Sequence, residues 1–353
     1  MTNILILGAS YGLLPGAKLS LAGHHVTLVG RADEIAVMAQ SPLEVRITPR
    51  RQAEEILLQV PVAAEAGPGR IALSTPDGVD LAQHDFVILA MQEPQYREAA
   101  VAGLMHAIAG SGRPCLSIMN LAPPPFLARL GIDVGGLDGV YHSADVWAAF
   151  DPQKLTLASP DPQALRPDPA APGRLHCTLP SNFKAAPFAL AEDQSVLQQL
   201  ASDMSRLDIQ TAAGKVRPPV AMIASPSLFV PLAKWPMLIA GNCRCVLPSG
   251  IRTIAEAVLD DIEASAAVYE QVRQLTLRLG AREQDLVTFQ AYADTASRLV
   301  RPSSLARALE AGVPNVERID RLIGALLVQH GLPHDRVDPV IALIETRLAR
   351  NRR

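Results

Sequence analysis

The stretch that decides the fold of this 353-residue chain is "ILILGASYGLLPG", residues 4–16. Its first four residues are apolar, as in a short buried strand. Glycines at positions 8, 12 and 16 follow, within a helical pattern over 12–22, and a second apolar run, "HHVTLV", occupies 24–29. A strand, a glycine-containing turn, a helix and a strand in this order predict a βαβ unit and a parallel sheet.

Further short apolar runs extend this pattern along the first half of the chain. They are "RIALSTP" at 70–76, "DFVILAM" at 85–91 and "PCLSIMN" at 114–120, and helical stretches such as 95–109 lie between them. This alternation predicts an α/β fold with a Rossmann-type doubly wound parallel sheet. We expect a loop at the proline-rich residues 160–173 and a strand at 174–180.

From about residue 191 the pattern becomes helical. The clearest prediction is one helix over 254–279, where Thr253 and Glu256 have the spacing of a capping box and Gly280 supplies the stop. Further helices are predicted at 304–312, 315–330 and 337–350. We therefore expect two domains, an α/β domain over 1–190 and an all-helical domain over 191–353.

Composition excludes several classes of protein. The net charge of −3 and a pI of about 6.2 do not fit a basic nucleic-acid-binding surface. The sequence has no apolar run of about 18 residues, so no membrane span is predicted. The four cysteines lack the histidines or second cysteine pair of a zinc site, so no metal is expected. With no room for a signal peptide before the first strand, we expect a cytoplasmic protein.

The first turn has the features of a phosphate-binding turn. Gly8 suits a tight turn, and the small Ser10 can donate a hydrogen bond to a phosphate oxygen. Gly12 comes one residue earlier than the last glycine of the common G-x-G-x-x-G pattern, so we expect a turn one residue shorter. The free N–H groups of the following helix favour an anion. The position between two strands favours a dinucleotide site, the alternative being a βα turn of another α/β fold.

The end of the second strand predicts which dinucleotide is bound. Sites for NAD place an acidic residue here to hold the ribose 2′-hydroxyl. This chain has Gly30 at that point and Arg31 directly after it. A guanidinium without a neighbouring carboxylate at the strand end favours the 2′-phosphate of NADP, the alternative being a solvated loop arginine.

A third motif, "LAKWPMLIAGN" at 232–242, lies in the helical half. Lys234, Leu238 and Asn242 fall at i, i+4 and i+8, near one helix face, and Pro236 should kink or restart that helix. A lysine and an asparagine on one buried face suit a proton donor and a hydrogen-bonding clamp. The alternative is a lysine whose stem packs on a core helix.

Taken together, these motifs resemble the ketopantoate reductase (2-dehydropantoate 2-reductase) family, in the 6-phosphogluconate dehydrogenase C-terminal-like group. The resemblance runs nearly end to end and includes "LAMQEPQYREAA", "LSIMN" and "RPSSLARALEAGVPNVERIDRLIGALL". It implies reduction of a 2-oxo acid or related small ketone by NADPH, in a homodimer that binds a small-molecule substrate between its two domains.

The resemblance also implies roles for individual residues. Lys234 is the implied catalytic proton donor. Glu317 is its implied partner if one residue is inserted after it, and otherwise Arg318 takes that place. The implied substrate-binding residues are Asn120, Asn242 and Ser304. The implied cofactor-binding residues are Gly8, Ser10, Gly12, Arg31, Gln95 and Asn120.

Three positions depart from the family pattern, and two other functions remain open. Gln92 stands in place of a lysine, Leu121 in place of a glycine and Leu238 in place of an asparagine. Leu238 removes a polar contact and hints at a ligand more apolar than ketopantoate. One alternative is an imine-reducing opine-type dehydrogenase, for which "YHSAD" at 141–145, with His142 and Asp145, is the nearest histidine–aspartate pair, though we expect a strand end there. The other alternative is a dinucleotide-sensing protein without turnover.

Overall fold

The computed structural model describes residues 1–49, 54–211 and 214–353. Its strands are β1 (Asn3–Leu7), β2 (His25–Val29), β3 (Leu43–Ile47), β4 (Ile56–Val60), β5 (Val62–Ala63), β6 (Ile71–Ser74), β7 (Phe86–Leu89), β8 (Cys115–Ile118), β9 (Leu155–Ser159), β10 (Gln163–Leu165), β11 (Arg174–Leu179), β12 (Phe183–Ala185), β13 (Ile209–Thr211), β14 (Gly214–Val216) and β15 (Met222–Ala224). Its α-helices are α1 (Leu13–Leu21), α2 (Ala32–Met38), α3 (Ala99–Ser111), α4 (Pro124–Arg129), α5 (Ala144–Trp147), α6 (Ala191–Arg206), α7 (Trp235–Met237), α8 (Ile254–Leu259), α9 (Ile262–Arg278), α10 (Phe289–Ala296), α11 (Ser304–Glu310), α12 (Ile319–Gln329) and α13 (Asp338–Asn351).

The main sheet confirms the predicted Rossmann-type architecture. Its order is β15-β12-β9-β8-β7-β1-β2-β6-β5, and the six strands from β9 to β6 are all parallel. Alternate residues of β1 pack into different buried clusters, Leu5 and Leu7 into one and Ile4 and Ile6 into the other. Both faces of the sheet are therefore covered, as a fully apolar parallel strand requires.

The sheet continues further along the chain than residue 190. After helix α6, strand β15 pairs in parallel with β12 and becomes the edge of the main sheet. The expected domain boundary at 190 thus falls inside the sheet-containing part. The chain thus consists of a sheet unit, which ends with β15, and a helical unit, which follows it.

Residues 254–279 form two helices, α8 and α9, and the prediction of one continuous helix was wrong. The predicted capping box is present, since Glu256 N donates to Thr253 Oγ1 at 3.1 Å and Thr253 N donates to Glu256 Oε2 at 2.7 Å. The break comes at Asp261, whose carboxylate accepts from Ala264 N at 2.9 Å and so caps a second helix. An aspartate competes for backbone donors in this way and favours a helix start over a helix interior.

The proline-rich stretch 160–173, predicted as a loop, contains the three-residue strand β10. This strand pairs antiparallel with β11, and β11 pairs in parallel with β3, which gives a second sheet of order β10-β11-β3-β4. Among the described residues, no helix has both the length and the apolar character needed to cross a membrane.

Candidate active site

A cleft of about 1760 Å³ runs between the two units. One wall is built from residues at the carboxyl ends of β1, β2, β7, β8 and β9, which is where open parallel sheets bind ligands. The other wall comes from the helical unit. A typical small-molecule pocket measures roughly 300–1000 Å³, so this cleft has room for an extended ligand and a smaller second one.

The glycine turn forms the end of the cleft at β1. Gly8 has φ +106°, and a Cβ there would lie 2.6 Å from Ala90 O, so only glycine fits. Ser10 also lines the cleft. Gly12 lies behind it, and a Cβ on Gly12 would come within 2.6 Å of Ile6 Cγ2. Its backbone N donates to Gly8 O at 3.0 Å, and α1 begins at the next residue. Gly12 therefore permits close helix–strand packing rather than direct contact with a ligand.

Beyond the end of β2, two arginines are held by carboxylates. Arg31 donates from Nε and Nη2 to the two oxygens of Asp33, each at 3.1 Å, and its Nη2 lies 3.2 Å from Glu34. Arg166, at the end of β10, binds the same Glu34 at 2.8 Å. Two further nitrogens of Arg166, Nε and Nη2, are buried without a hydrogen-bond partner among the described residues. Arg31 and Arg166 together make this end of the cleft a cluster of two cations and two carboxylates.

Lys234 and Asn242 both line the cleft, across an irregular helix. A 3-10 turn ends at Lys234, Pro236 lies in the first turn of α7, and a π-helical turn covers Leu238–Asn242. The predicted restart at Pro236 is present. Leu238, in contrast, is buried in the apolar core beside a small cavity that Asn120, Asn242 and Ser304 also line.

The amine of Lys234 is mostly buried and has two partners from the segment after β9. Its Nζ donates to Pro160 O at 2.6 Å and lies 3.6 Å from Asp161 Oδ1. Burial lowers the pKa of Lys234, while the charge of Asp161 opposes that shift. The result is an amine that gives up its proton more readily than a solvated lysine does.

Glu317 reaches the cleft, and Arg318 does not. Glu317 Oε1 accepts from Glu93 N at 3.3 Å, and burial raises its pKa to about 7, against a hydrogen bond from the Asn120 side chain. Arg318 points into the helical unit, where it binds Asp320 and Glu345 at 2.7 Å each. Of the two alternatives that the sequence left open, the structure places Glu317 beside the other candidate residues.

Asn120 and Gln95 occupy the sheet side of the cleft, and Ser304 the helical side. Asn120 Oδ1 is buried without a hydrogen-bond partner among the described residues. Gln95 Oε1 accepts from Gln92 N at 2.9 Å and so fixes the turn after β7. Ser304 is the first residue of α11. With the exceptions of Gly12 and of Arg318, the alternative to Glu317, every residue predicted for catalysis or binding thus lines this one cleft.

The histidine–aspartate pair considered for an opine-type enzyme lies outside this cleft lining. His142 N and Nδ1 contact the buried carboxylate of Glu93 at 3.0 and 3.3 Å. Asp145 lies in the short helix α5, so the expected strand end at "YHSAD" was wrong. The backbone N of Ser143 also donates to Glu93, at 2.7 Å, so this carboxylate orders a loop.

The polar cleft residues that the sequence did not indicate include Tyr11, Asp161, Arg166 and Lys184. Three of them follow β9 in the region with β10, β11 and β12. Tyr11 OH donates to Pro162 O at 2.8 Å, across 151 positions of sequence. The local sequence around Asp161, an aspartate between two prolines, predicts a turn. It does not predict a contact with Lys234.

The fold and the cleft define a two-unit α/β protein with a Rossmann-type sheet, and solved structures share this architecture over the whole chain. A PanE/ApbA family ketopantoate reductase from Ralstonia eutropha JMP134 is similar with a TM-score of 0.70 and 16% identity, covering 99% of this chain and 100% of that one. A 2-dehydropantoate 2-reductase from Methylococcus capsulatus gives a TM-score of 0.67 and 15% identity, covering 99% and 98%.

A D-mandelate dehydrogenase, solved with NADH and anilino(oxo)acetate, gives a TM-score of 0.66 and 14% identity, covering 99% and 100%. No protein-family profile and no curated protein sequence matches the chain. At these identities the likeness establishes the fold, which is the one expected from the ketopantoate reductase resemblance.

Proposed function

We propose that this protein is an NADPH-dependent reductase of a small 2-oxo acid or related ketone. One observation carries the proposal. The mostly buried amine of Lys234, with its lowered pKa, faces the same cleft as the glycine turn. The structures that share the fold include ketopantoate reductases and a D-mandelate dehydrogenase with bound NADH, and these support a nicotinamide-dependent reaction.

The residues of the sheet unit fit a dinucleotide. Gly8 leaves the backbone bare where the pyrophosphate approaches in other Rossmann turns, and α1 starts directly behind it. Ser10 adds a hydroxyl donor at the same place. The unpartnered Oδ1 of Asn120, further along the cleft, can accept a hydrogen bond from a carboxamide. In this arrangement Gly8 and Ser10 hold the phosphates, and Gln95 and Asn120 line the nicotinamide end.

When bound, the nicotinamide supplies the hydride that reduces the carbonyl carbon. The ammonium of Lys234 donates a hydrogen bond to the carbonyl oxygen, stabilises the negative charge that develops there, and gives up a proton to form the hydroxyl. Asn242 and Ser304 bind the carboxylate or carbonyl oxygen of the substrate. Glu317 orients Lys234 or accepts a hydrogen bond from a substrate hydroxyl.

The choice of NADPH over NADH rests on the region after β2. No carboxylate follows that strand directly, because Gly30 stands there. Arg31 and Arg166 both form ion pairs with Glu34 and so lie close together. A 2′-phosphate would replace Asp33 and Glu34 as the partner of these guanidiniums, with two or more charge-assisted hydrogen bonds.

Ketopantoate itself should be a poor substrate. Leu238 is buried and apolar where the resemblance expects an asparagine, so a polar group of ketopantoate would lose its partner at a cost of about 1–3 kcal/mol. We therefore propose a less polar 2-oxo acid, and a homodimer as the assembly. If kcat/KM for ketopantoate exceeds that for every other acid tested, this substrate assignment is wrong.

The test is NADPH oxidation, followed by absorbance, with a panel of aliphatic and aromatic 2-oxo acids, each with and without an added amino acid. Turnover with the oxo acid alone supports the proposal. Turnover that needs the amino acid as well would indicate an imine-reducing enzyme. Tight NADPH binding without turnover of any compound would indicate a sensing protein, and either result overturns the proposal.

A further inference from the structure

Residues 160–162, which connect β9 to β10, cross the cleft between Lys234 and the glycine turn. Pro160 O accepts from Lys234 Nζ at 2.6 Å, and Pro162 O accepts from the hydroxyl of Tyr11, within the turn, at 2.8 Å. Two proline rings fix φ in this segment and reduce the entropy lost on ordering it. The Pro160–Pro162 segment is therefore a stiff link between the proposed proton donor and the proposed phosphate site.

Asp161, between the two prolines, holds its carboxylate between two lysines. Its Oδ1 lies 3.6 Å from Lys234 Nζ, and its Oδ2 lies 3.9 Å from Nζ of Lys184, on β12. Only 19% of the Asp161 side chain is exposed, which limits screening by solvent. The backbone N of Asp161 donates to Ser159 O at 3.0 Å, so the turn itself is made by the main chain. The carboxylate is not needed to form it.

Three charged groups influence Lys234, and they differ in effect. Asp161 and Glu317 favour the ammonium, whereas Lys184 disfavours it. Glu317 has a pKa of about 7 and so bears only part of a negative charge at neutral pH. Asp161 is therefore the carboxylate best placed to offset both burial and the neighbouring lysine.

The geometry points to Asp161 as a positioning residue of the proposed reductase, which keeps the proton on Lys234 and holds its Nζ against the Pro160–Pro162 segment. This inference rests on the role of Lys234 in the proposed function. It predicts that Asp161 extends activity to higher pH, because a proton donor fails once it is deprotonated in the resting state.

The first test compares pH profiles of kcat, with NADPH and the best 2-oxo acid, for wild type and Asp161→Asn. In this profile the basic limb is the fall of kcat at alkaline pH. Loss of a charge this close to Lys234 should shift the midpoint of the basic limb to a pH lower by about one unit, while kcat at pH values below the limb stays within about threefold of wild type. Asp161→Glu should restore the limb, and Lys184→Gln should move it upward. The exposed Asp168, in the loop between β10 and β11, supplies the control, since Asp168→Asn should leave the profile unchanged.

A second measurement separates this inference from the proposed function. The chain has five lysines, so side-chain NMR of protein labelled at the lysine Cε can follow the titration of Lys234 directly, with the resonance identified by its loss in Lys234→Met. The midpoint should fall by about one pH unit in Asp161→Asn.

These outcomes are distinct. Absence of turnover in the wild type with every acid overturns the proposed function, and the NMR titration still tests the contact with Asp161. An unchanged Lys234 midpoint in Asp161→Asn overturns the inference, whatever the turnover. A uniform loss of kcat at every pH, with no shift of the limb, shows that Asp161 has a purely structural role and overturns it too.

Discussion

Lys18 and Lys234 are two buried lysines with different surroundings. Lys18, on α1, is fully buried and donates to three main-chain carbonyls, Pro218 O at 2.9 Å, Pro219 O at 3.0 Å and Val220 O at 2.6 Å. Burial lowers its pKa to about 8. Lys234 also has its pKa lowered by burial, yet among the described residues it donates to one carbonyl, and it faces the cleft.

The difference shows that burial and a lowered pKa do not by themselves identify a reacting amine. An ammonium has three N–H donors. Lys18 donates all three to carbonyls of one loop. This loop contains Val220 at φ +71°, an uncommon conformation for a β-branched residue. Lys234 uses one on Pro160 O and directs a second towards Asp161, which leaves a donor for a ligand. The count of donors still available separates a structural lysine from a candidate proton donor.

Replacement of Lys234 is expected to have the largest effect. Lys234→Ala should lower kcat about 10²–10⁴-fold, the range for loss of a general acid. The affinity for NADPH should change little, because the sheet unit binds the dinucleotide. The melting temperature should fall less than in Lys18→Met, because Lys234 donates to one carbonyl and Lys18 to three. Single-turnover hydride transfer, NADPH titration and thermal melting on the same variant check this. Hydride transfer at the wild-type rate would show that Lys234 is as structural as Lys18.

Lys18→Met should give the opposite result. Three main-chain carbonyls, two of them in fully buried contacts, would lose a charged donor, and the Val220 conformation would lose its support. We therefore expect a fall of about 2–4 kcal/mol in the free energy of unfolding. Urea denaturation measures this, with Lys215→Met, at an exposed position, as the control. Once the population is folded, kcat should match wild type. A stable variant with reduced kcat would break the comparison.

Arg31 extends the comparison to a cation that is 71% exposed. Arg31→Ala should weaken NADPH binding by about 1.5–3 kcal/mol, as for a charge-assisted contact, and leave NADH binding nearly unchanged. Isothermal titration with both cofactors checks the prediction, and Arg206→Ala, at another exposed ion pair, is the control. Equal affinity of the wild type for NADH and NADPH would refute this assignment of Arg31.

Glu317 offers the smallest effect and a dependence on pH. Its pKa in the folded protein, about 7, exceeds the unfolded value of about 4.3, so the folded state loses stability as pH rises between these values. Glu317→Gln removes this loss of stability, because a glutamine side chain does not ionise. The variant should therefore gain about 1–2 kcal/mol relative to wild type between pH 5 and pH 8, after allowance for solvent in the cleft. Denaturation curves at both pH values test this, and an equal difference at the two would contradict it.

Much of the fold could be predicted because local patterns determine it. The βαβ unit around Gly8 and the buried strands β6, β7 and β8 follow from short apolar runs between helices. The capping box at Thr253 is local as well. The break at Asp261 and the strand β10 were missed because each depends on a choice between competing partners. An aspartate can cap a helix or lie within one, and three residues between prolines become a strand only when β11 is beside them.

Residues of the candidate site could be predicted where they belong to a motif or a periodic pattern, as do Gly8, Lys234 and Asn242. The contacts that set the chemistry were not predictable. Lys234 and Pro160 are 74 positions apart, and Lys18 and Val220 are 202 apart. No local pattern links such residues, since the contacts exist only once the sheet is assembled. The motifs that carry the resemblance do not include Asp161 either.

The hydrogen bond from Lys234 to Pro160 joins the two walls of the cleft, and this has a consequence for the speed of a reaction cycle. The helical unit also shares one buried apolar cluster with a face of the sheet, so the walls are not loosely hinged. Widening the cleft near Lys234 would break an N–H···O bond and separate an ammonium from a carboxylate. In the proposed reductase, exit of a product by that route would require the hydrogen bond from Lys234 to Pro160 to break, a step of the kind that limits turnover in enzymes whose sites must open.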